Sequence, residues 1–126
     1  MPGVPVIAIV DDDEAVRSSL ASLLRSLGYA VRIYGSGVEF LGDPSGPEAA
    51  CMITDVQMPG MTGDELQARL VQSGHVLPII FMTAFPTDIV RQRVIAAGAR
   101  CYISKPAAEG EIIRCLQEAL ANQPQQ

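Results

Sequence analysis

Residues 6–14 of this chain read V-I-A-I-V-D-D-D-E. Five consecutive apolar residues predict a strand that is buried on both faces, as in a parallel sheet. Asp11 and Asp12 follow that run directly, and similar apolar runs recur at residues 51–54, 79–82 and 101–103. We expect these four runs to be neighbouring parallel strands. The side chains that follow each run would then meet at one edge of the sheet, where such sheets place their ligand sites.

That edge would collect five chemically active side chains. Asp11 and Asp12 follow the first run, Asp55 ends the second, Thr83 follows the third, and Lys105 lies just past the fourth. Two carboxylates about 4 Å apart repel by about 4 kcal/mol at an effective dielectric constant near 20. Three carboxylates therefore require a proton or a bound cation, and Mg²⁺ prefers such oxygen ligands. The hydroxyl and the ammonium could hold the oxygens of a phosphoryl group on one carboxylate.

Each of these residues also has an ordinary structural interpretation. The acidic cluster could form a turn and cap the following helix, and Asp13 is the best candidate for the cap. Thr83 could be a strand-end residue and Lys105 a solvated surface lysine, but the joint occurrence of all of them favours a pocket. Pro106 restricts Lys105 to extended conformations and allows a cis peptide bond between them.

Strand-like and helical patterns alternate along the whole chain. A helical repeat after the first strand stops at Gly28, a short strand follows at residues 30–34, and Pro86 suits the first turn of a later helix. Capping boxes are indicated at two pairs of residues, Ser36 with Glu39 and Thr62 with Glu65. Five successive strand–helix units predict a parallel sheet covered on both faces, with right-handed crossovers.

Bulk properties limit the function classes. A length of 126 residues suits one domain, expected over residues 1–121, with residues 122–126 as a loose tail or the start of a linker. A net charge of −5 argues against direct contact with nucleic acid. The sequence shows neither a membrane span nor a signal peptide, so we expect a cytoplasmic location. Three cysteines without metal-binding spacing are expected to be buried, reduced thiols.

Four blocks of sequence closely resemble the receiver domain of two-component response regulators. They are I-V-D-D-D-E at residues 9–14, D-V-Q-M-P-G-M-T-G at 55–63, M-T-A at 82–84 and S-K-P at 104–106. The resemblance covers roughly residues 6–120. It implies an α/β fold of the flavodoxin-like kind, a doubly wound (βα)5 sandwich whose five parallel strands have the order 2-1-3-4-5.

The same resemblance implies a role for each pocket residue. Asp55 would accept a phosphoryl group from a sensor histidine kinase. Asp12 would bind Mg²⁺, or Mn²⁺ in its place, directly, Asp11 would bind it mainly through water, and the backbone carbonyl of Gln57 would complete the protein ligands together with Asp55. Thr83 would bond a phosphoryl oxygen.

Lys105 would pair with the phosphate, and Tyr102 falls where the family carries an aromatic switch that turns inward as the threonine moves. The alternative for Tyr102 is a half-buried strand tyrosine. Ala107 stands where the family often has phenylalanine, which puts in doubt the usual packing near the surface of the fourth helix, fifth strand and fifth helix. Many members dimerise through that surface.

The resemblance therefore implies a signalling phosphoacceptor with weak self-dephosphorylation, and not an enzyme. Its partners would be a histidine kinase and a second copy of the chain, and its output would be transcription, because residues 10–20 and the tail are similar to FixJ-type receivers. A stand-alone phosphate shuttle and a phosphate-independent interaction domain remain alternatives. A haloacid-dehalogenase-type phosphatase would place its motif on Asp11, Asp13 and Ala15, where Ala15 matches poorly and no substrate cap has room.

Overall fold

Five strands and five α-helices alternate along residues 3–121, which are the residues that the computed structural model describes. The strands are β1 (Val6–Val10), β2 (Ala30–Tyr34), β3 (Cys51–Asp55), β4 (Ile79–Thr83) and β5 (Cys101–Ser104). The helices are α1 (Glu14–Ser26), α2 (Gly37–Leu41), α3 (Gly63–Gln72), α4 (Asp88–Ala96) and α5 (Glu109–Ala121). None of the helices in this part of the chain is long and apolar enough to cross a membrane. The expected tail, residues 122–126, lies outside the described residues.

The strands form one parallel sheet in the order β2-β1-β3-β4-β5. This confirms the predicted doubly wound α/β fold and its strand order. Every residue of β3 and β4 is buried, which explains why their sequences are apolar without alternation until the polar residues at their carboxyl ends. The carboxyl ends of β1, β3, β4 and β5 lie side by side at one edge, as the sequence predicts.

Two hydrophobic cores lie on opposite faces of the sheet. Ile7 and Ile9 pack with α1 and α5 on one face, whereas Ala8 and Val10 pack with α2, α3 and α4 on the other. This division follows from the two-residue period of a strand, which sends successive side chains to opposite faces. A fully buried aliphatic side chain contributes about 1.5–3 kcal/mol, so the helices with several such side chains are firmly attached to the strands that carry the pocket.

One of the two predicted capping boxes is complete in the structure, and the other is only partly formed. Thr62 Oγ1 accepts a hydrogen bond from the Glu65 N–H at 3.3 Å, and Glu65 Oε1 accepts one from the Thr62 N–H at 2.9 Å. The second predicted box is incomplete. Ser36 Oγ accepts from the Glu39 N–H at 3.0 Å, but Glu39 Oε1 accepts from the N–H of Gly35. The side chain of Glu39 thus satisfies a donor one residue earlier.

The start of α4 differs from the prediction. Pro86 was expected in the first turn, but α4 begins at Asp88 and Thr87 is its N-cap. The hydroxyl of Thr87 accepts a hydrogen bond from the Val90 N–H at 3.3 Å. Proline has no side-chain acceptor and cannot cap a helix in this way. Only Val94 of this helix is buried, so α4 has the smallest apolar anchor of the four helices that follow the pocket strands.

The prediction of three reduced cysteines was wrong for two of them. Cys101, the first residue of β5, forms a disulfide with Cys115 in α5, and their Cα atoms are 6.3 Å apart. This separation falls within the range that a disulfide can span. Cys51 is free and buried, as expected. A spacing of 14 residues along the chain gave no indication of this pairing, because it depends on how α5 packs against the edge strand.

Candidate functional site

Three carboxylates converge at the carboxyl edge of the sheet. Asp11 follows β1 and Asp55 ends β3, and the pairing of Val10 with Thr54 brings these two aspartates side by side. Each of Asp11, Asp12 and Asp55 can offer an oxygen within 4.8 Å of the others. Asp11 and Asp55 are only 2% and 8% exposed, whereas Asp12 faces solvent. The structure therefore brings together all three acidic residues that the sequence places at this edge.

Lys105 spans two of these carboxylates. Its Nζ donates to Asp11 Oδ2 at 2.9 Å and to Asp55 Oδ2 at 3.1 Å. The backbone N–H of Lys105 donates to the Thr83 carbonyl at 2.8 Å, and the following bond to Pro106 is cis. Burial lowers the pKa of Lys105, but the hydrogen bonds and charges of Asp11 and Asp55 outweigh that effect and raise it. The lysine is thus held as a cation inside the pocket.

The carboxyl of Asp55 is affected more by burial than by the neighbouring ammonium of Lys105. Burial raises the pKa of its carboxyl above the ordinary value for aspartate, and Lys105 offsets this rise only in part. The Gln57 N–H donates to Asp55 Oδ1 at 3.2 Å. When all four groups are ionised, the three carboxylates and one ammonium give the pocket a net charge of −2. This negative charge, together with a donor set made only of oxygen atoms, fits a divalent cation of the Mg²⁺ type.

Thr83 lies on the neighbouring strand of the same edge. It is fully buried at the end of β4, which pairs with β3 on one side and β5 on the other. Its Oγ1 accepts a hydrogen bond from the Phe85 N–H at 3.1 Å. That bond uses a lone pair of the Thr83 hydroxyl oxygen, so the hydroxyl proton remains available for donation to a ligand.

Tyr102 links the edge strand to the start of α4. Its ring packs against the core on the α3 and α4 face, and its hydroxyl accepts a hydrogen bond from the Thr87 N–H at 3.1 Å. Thr87 also caps α4, so one residue joins the tyrosine to the beginning of that helix. The sequence singled out Tyr102 but not Thr87, although a threonine three residues before Val90 is a typical cap signal.

Gly63 brings α3 into direct contact with the backbone of Asp55. A Cβ atom at this position would lie 2.2 Å from the Asp55 carbonyl oxygen. The Gly63 N–H donates to the Val56 carbonyl at 2.7 Å. Only glycine allows this approach, so the start of α3 helps to fix the position of the Asp55 backbone.

Two polar contacts between α3 and α4 were not predicted from the sequence. Gln67 is 3% exposed, and its Nε2 donates to the Val94 carbonyl at 2.9 Å. Arg93 Nη1 lies 2.7 Å from Asp64 Oδ2. Both pairs are more than 25 residues apart in sequence, and neither has a local signal that would reveal its partner.

A groove of about 550 Å³ lies between α1 and α5, and Lys105 lines part of it. Ala107 lines it as well and packs against the core on that face. The departure from phenylalanine at this position therefore affects the groove between α1 and α5. The resemblance to receiver domains instead associates this position with the surface formed by α4, β5 and α5.

Comparison with known proteins identifies the chain. The response regulator receiver domain family matches residues 7–117. The response regulator protein TmoT of Ectopseudomonas mendocina is 39% identical over 121 residues, which cover 96% of this chain and 55% of that protein. The transcriptional regulatory protein FixJ of Azorhizobium caulinodans is 34% identical over 126 residues, covering 100% of this chain and 60% of that protein. The chain thus spans little more than half the length of these curated relatives.

Solved structures agree with the sequence matches. The crystal structure of FixJ-N superposes with a TM-score of 0.86 at 31% identity and covers 100% of both chains. The response regulator receiver protein from Burkholderia phymatum gives a TM-score of 0.80 at 42% identity, covering 97% of this chain and 99% of that one. The chain belongs to the response regulator receiver domain family of two-component systems.

Proposed function

We propose that Asp55 accepts a phosphoryl group from a histidine kinase in a reaction that depends on Mg²⁺, with Mn²⁺ as a possible substitute. Receiver domains of response regulators take phosphoryl groups from histidine kinases. The observation that carries the assignment to this residue is the acidic cluster of Asp11, Asp12 and Asp55, in which Lys105 bonds to Asp11 and Asp55. The backbone carbonyl of Gln57 is proposed as a further ligand of the cation.

The chemistry requires mainly positioning and charge neutralisation. A carboxylate oxygen of Asp55 attacks the phosphorus, a new O–P bond forms, and the P–N bond to the kinase histidine breaks. A bound Mg²⁺ would supply charge neutralisation for the phosphoryl oxygens. Lys105 already donates a hydrogen bond to Asp55 Oδ2, so its ammonium lies close enough to pair with a phosphate on that residue. The Thr83 hydroxyl would donate its free proton to a second phosphoryl oxygen.

Phosphorylation would then change a surface distant from the aspartate. The acyl phosphate carries about −1.5 to −2 charges where the carboxylate of Asp55 carried −1. As Thr83 turns to the phosphate, its bond from the Phe85 N–H is released, and the loop that leads to Thr87 and α4 is free to move. Tyr102 follows, because its hydroxyl is bonded at the start of that helix. We propose that the α4-β5-α5 surface, residues 88–121 without the loops, thereby controls its output.

The proposed output is transcription through a homodimer formed by the α4-β5-α5 surface. Several relatives are named transcriptional regulatory proteins, and the chain matches about three fifths of the length of two of them. The domain itself is proposed to act in the cytoplasm as a signalling domain, without direct contact to nucleic acid and with only weak self-dephosphorylation.

Acetyl phosphate with Mg²⁺ tests the assignment. Intact mass spectrometry should show one added phosphoryl group that is stable in acid and labile in base. Asp55→Asn should abolish it. Asp13→Asn is the matched control, because asparagine also caps helices and Asp13 accepts from the Ala15 and Val16 N–H groups at the start of α1. Undiminished labelling of Asp55→Asn, or loss in the control alone, would contradict the proposal.

The position of Asp13 also bears on the phosphatase alternative. That alternative needs Asp13 as a second pocket carboxylate, but its side chain caps α1. Release of many phosphates from a phosphate monoester per protein molecule would favour the phosphatase. A phosphate-independent interaction domain would show no Mg²⁺-dependent change in melting temperature.

A further inference from the structure

The disulfide between Cys101 and Cys115 is a specific connection of α5 to the sheet. The apolar side of α5 is buried through Ile112, Leu116 and Ala119. Within residues 3–121, however, no side-chain hydrogen bond or salt bridge joins this helix to another element. Among the described residues, the disulfide is therefore the only directional contact that a side chain of α5 makes with another element. Apolar packing resists separation but fixes position less specifically than a bond does.

The bond also joins the elements at one side of the molecule. β5 is an edge strand that pairs only with β4, and Cys101 is its first residue. Cys101 faces the core shared by α1 and α5, whereas the next residue, Tyr102, faces the core of α3 and α4. The disulfide thus holds the helix against the strand that carries the proposed switch tyrosine.

The two sulfurs differ in access. Cys101 is partly exposed, whereas Cys115 is 1% exposed and lies inside the core. Because Cys101 is the more exposed residue of the pair, we expect a small thiol reagent to reach its sulfur before that of Cys115. The third cysteine does not compete, because Cys51 is fully buried and burial raises the pKa of its thiol to about 12. In thiol–disulfide exchange, access decides which sulfur of the disulfide a thiolate attacks, and the other sulfur is the leaving group.

We propose that the Cys101–Cys115 pair is a thiol–disulfide exchange site for a low-molecular-weight thiol such as glutathione, and that its oxidation state sets how firmly α5 is held on β5. In a reducing compartment, a disulfide is usually transient or redox-sensing. The reducing compartment and the consequence for the α4-β5-α5 surface rest on the location and function proposed above, whereas the exchange with glutathione in solution does not.

The exchange balances as two substitutions at sulfur. A glutathione thiolate attacks the Cys101 sulfur, the protein S–S bond breaks, and Cys115 leaves as a thiolate that takes up a proton. A second glutathione thiolate attacks the glutathione sulfur of the mixed disulfide and releases Cys101, which is protonated in turn. One protein disulfide and two glutathione molecules thus give two protein thiols and one glutathione disulfide. Oxidation follows the same steps in reverse.

A redox titration of the complete chain tests the exchange. The protein is equilibrated at graded ratios of glutathione to glutathione disulfide, quenched in acid, unfolded and alkylated with N-ethylmaleimide. Mass spectrometry should show one alkylated cysteine at the oxidising end and three at the reducing end, in one two-electron transition. Three alkylated cysteines at every ratio would show that no disulfide forms. One at every ratio would show that the bond does not exchange, and either result overturns the proposal.

Single variants test which sulfur is attacked. Cys115→Ser should accumulate a glutathione adduct on Cys101, whereas Cys101→Ser should leave the buried Cys115 unmodified. The reverse pattern would contradict the proposed order. Because a serine in the core could unfold the protein, the wild-type titration is the primary test and needs no variant.

Hydrogen exchange and melting test the mechanical role. Closing a loop of about 15 residues should raise the melting temperature by about 10 °C in the oxidised protein. Amides of α5 should exchange faster after reduction, whereas those of α1 should not change. Equal exchange in both oxidation states would overturn the role of the bond in holding α5. Asp55→Asn should titrate normally while failing to label with acetyl phosphate, so failure of either proposal is recognised separately.

Discussion

The contact between Gly63 and Asp55 gives the sharpest prediction for a single methyl group. Gly63→Ala would place a Cβ atom 2.2 Å from the Asp55 carbonyl oxygen and 3.1 Å from the Val56 Cα. Ordinary van der Waals contact begins near 3.4 Å, so α3 or β3 must move by about 1 Å. Both are held, because β3 is a central strand with every residue buried. Overpacking of this kind typically costs about 1–3 kcal/mol, and we expect the upper end here, where backbone meets backbone.

Gly110→Ala is the matched control for this variant. Gly110 also lies in the first turn of a helix, α5, but an added Cβ would meet nothing within 4 Å. Alanine is favoured over glycine in a helix by up to about 1 kcal/mol, so this variant should be slightly stabilised. The free energies of unfolding of the two variants should therefore differ by about 3–4 kcal/mol.

Urea unfolding followed by circular dichroism measures this difference through the midpoint at constant slope. Labelling by acetyl phosphate supplies a second measurement. It should slow in Gly63→Ala, because the backbone of Asp55 is displaced, and should be unchanged in Gly110→Ala. Equal stability of the two variants, with both at or above wild type, would refute the placement of α3 against Asp55.

Three further predictions follow from contacts described by the structure. Lys105→Gln should lower the free energy of unfolding by about 3 kcal/mol in the absence of Mg²⁺, because two buried carboxylates lose their cation. Thermal melting should then show a larger rise on adding Mg²⁺ than in wild type, and an equal rise would contradict the charge argument. Gln67→Met should cost about 1 kcal/mol and speed hydrogen exchange in α4, through loss of the bond to the Val94 carbonyl. The third concerns Tyr34, whose pKa is raised to about 12 by burial and by the 2.6 Å bond to Asp43. Since its folded pKa exceeds the unfolded value, its stabilisation is complete below pH about 10 and is lost as pH rises towards 12, amounting to about 1–2 kcal/mol once screening by solvent is included. Alkaline unfolding of Tyr34→Phe should lack this component.

The sequence predicted what depends on local pattern. Buried strands have continuous apolar runs, and Gly28 ends α1 with a positive φ of 95°, as a glycine after a helical repeat predicts. The convergence of Asp11 with Asp55 also followed from pattern, because parallel strands bring their carboxyl ends to one edge. Recognition of the family supplied the strand order.

What the sequence did not predict depends on contacts between distant residues. The disulfide of Cys101 requires the packing angle of α5, and the bond from Gln67 requires the position of α4 relative to α3. The start of α4 was misplaced because Pro86 and Thr87 both suit the beginning of a helix, and only the threonine can accept a hydrogen bond from the first turn. The roles of the pocket residues in phosphoryl transfer stay predictions.

The mainly polar attachment of α4 has a consequence for how the domain could diversify. Contacts such as Asp64 with Arg93 are replaced by water at little cost when the helix shifts, whereas a large apolar anchor would resist movement. Substitutions at these positions would adjust the resting equilibrium of the helix without altering any group that handles phosphate. The response to the signal and the phosphoryl chemistry would thus depend on separate sets of residues. Either set could change during evolution while selection preserves the other.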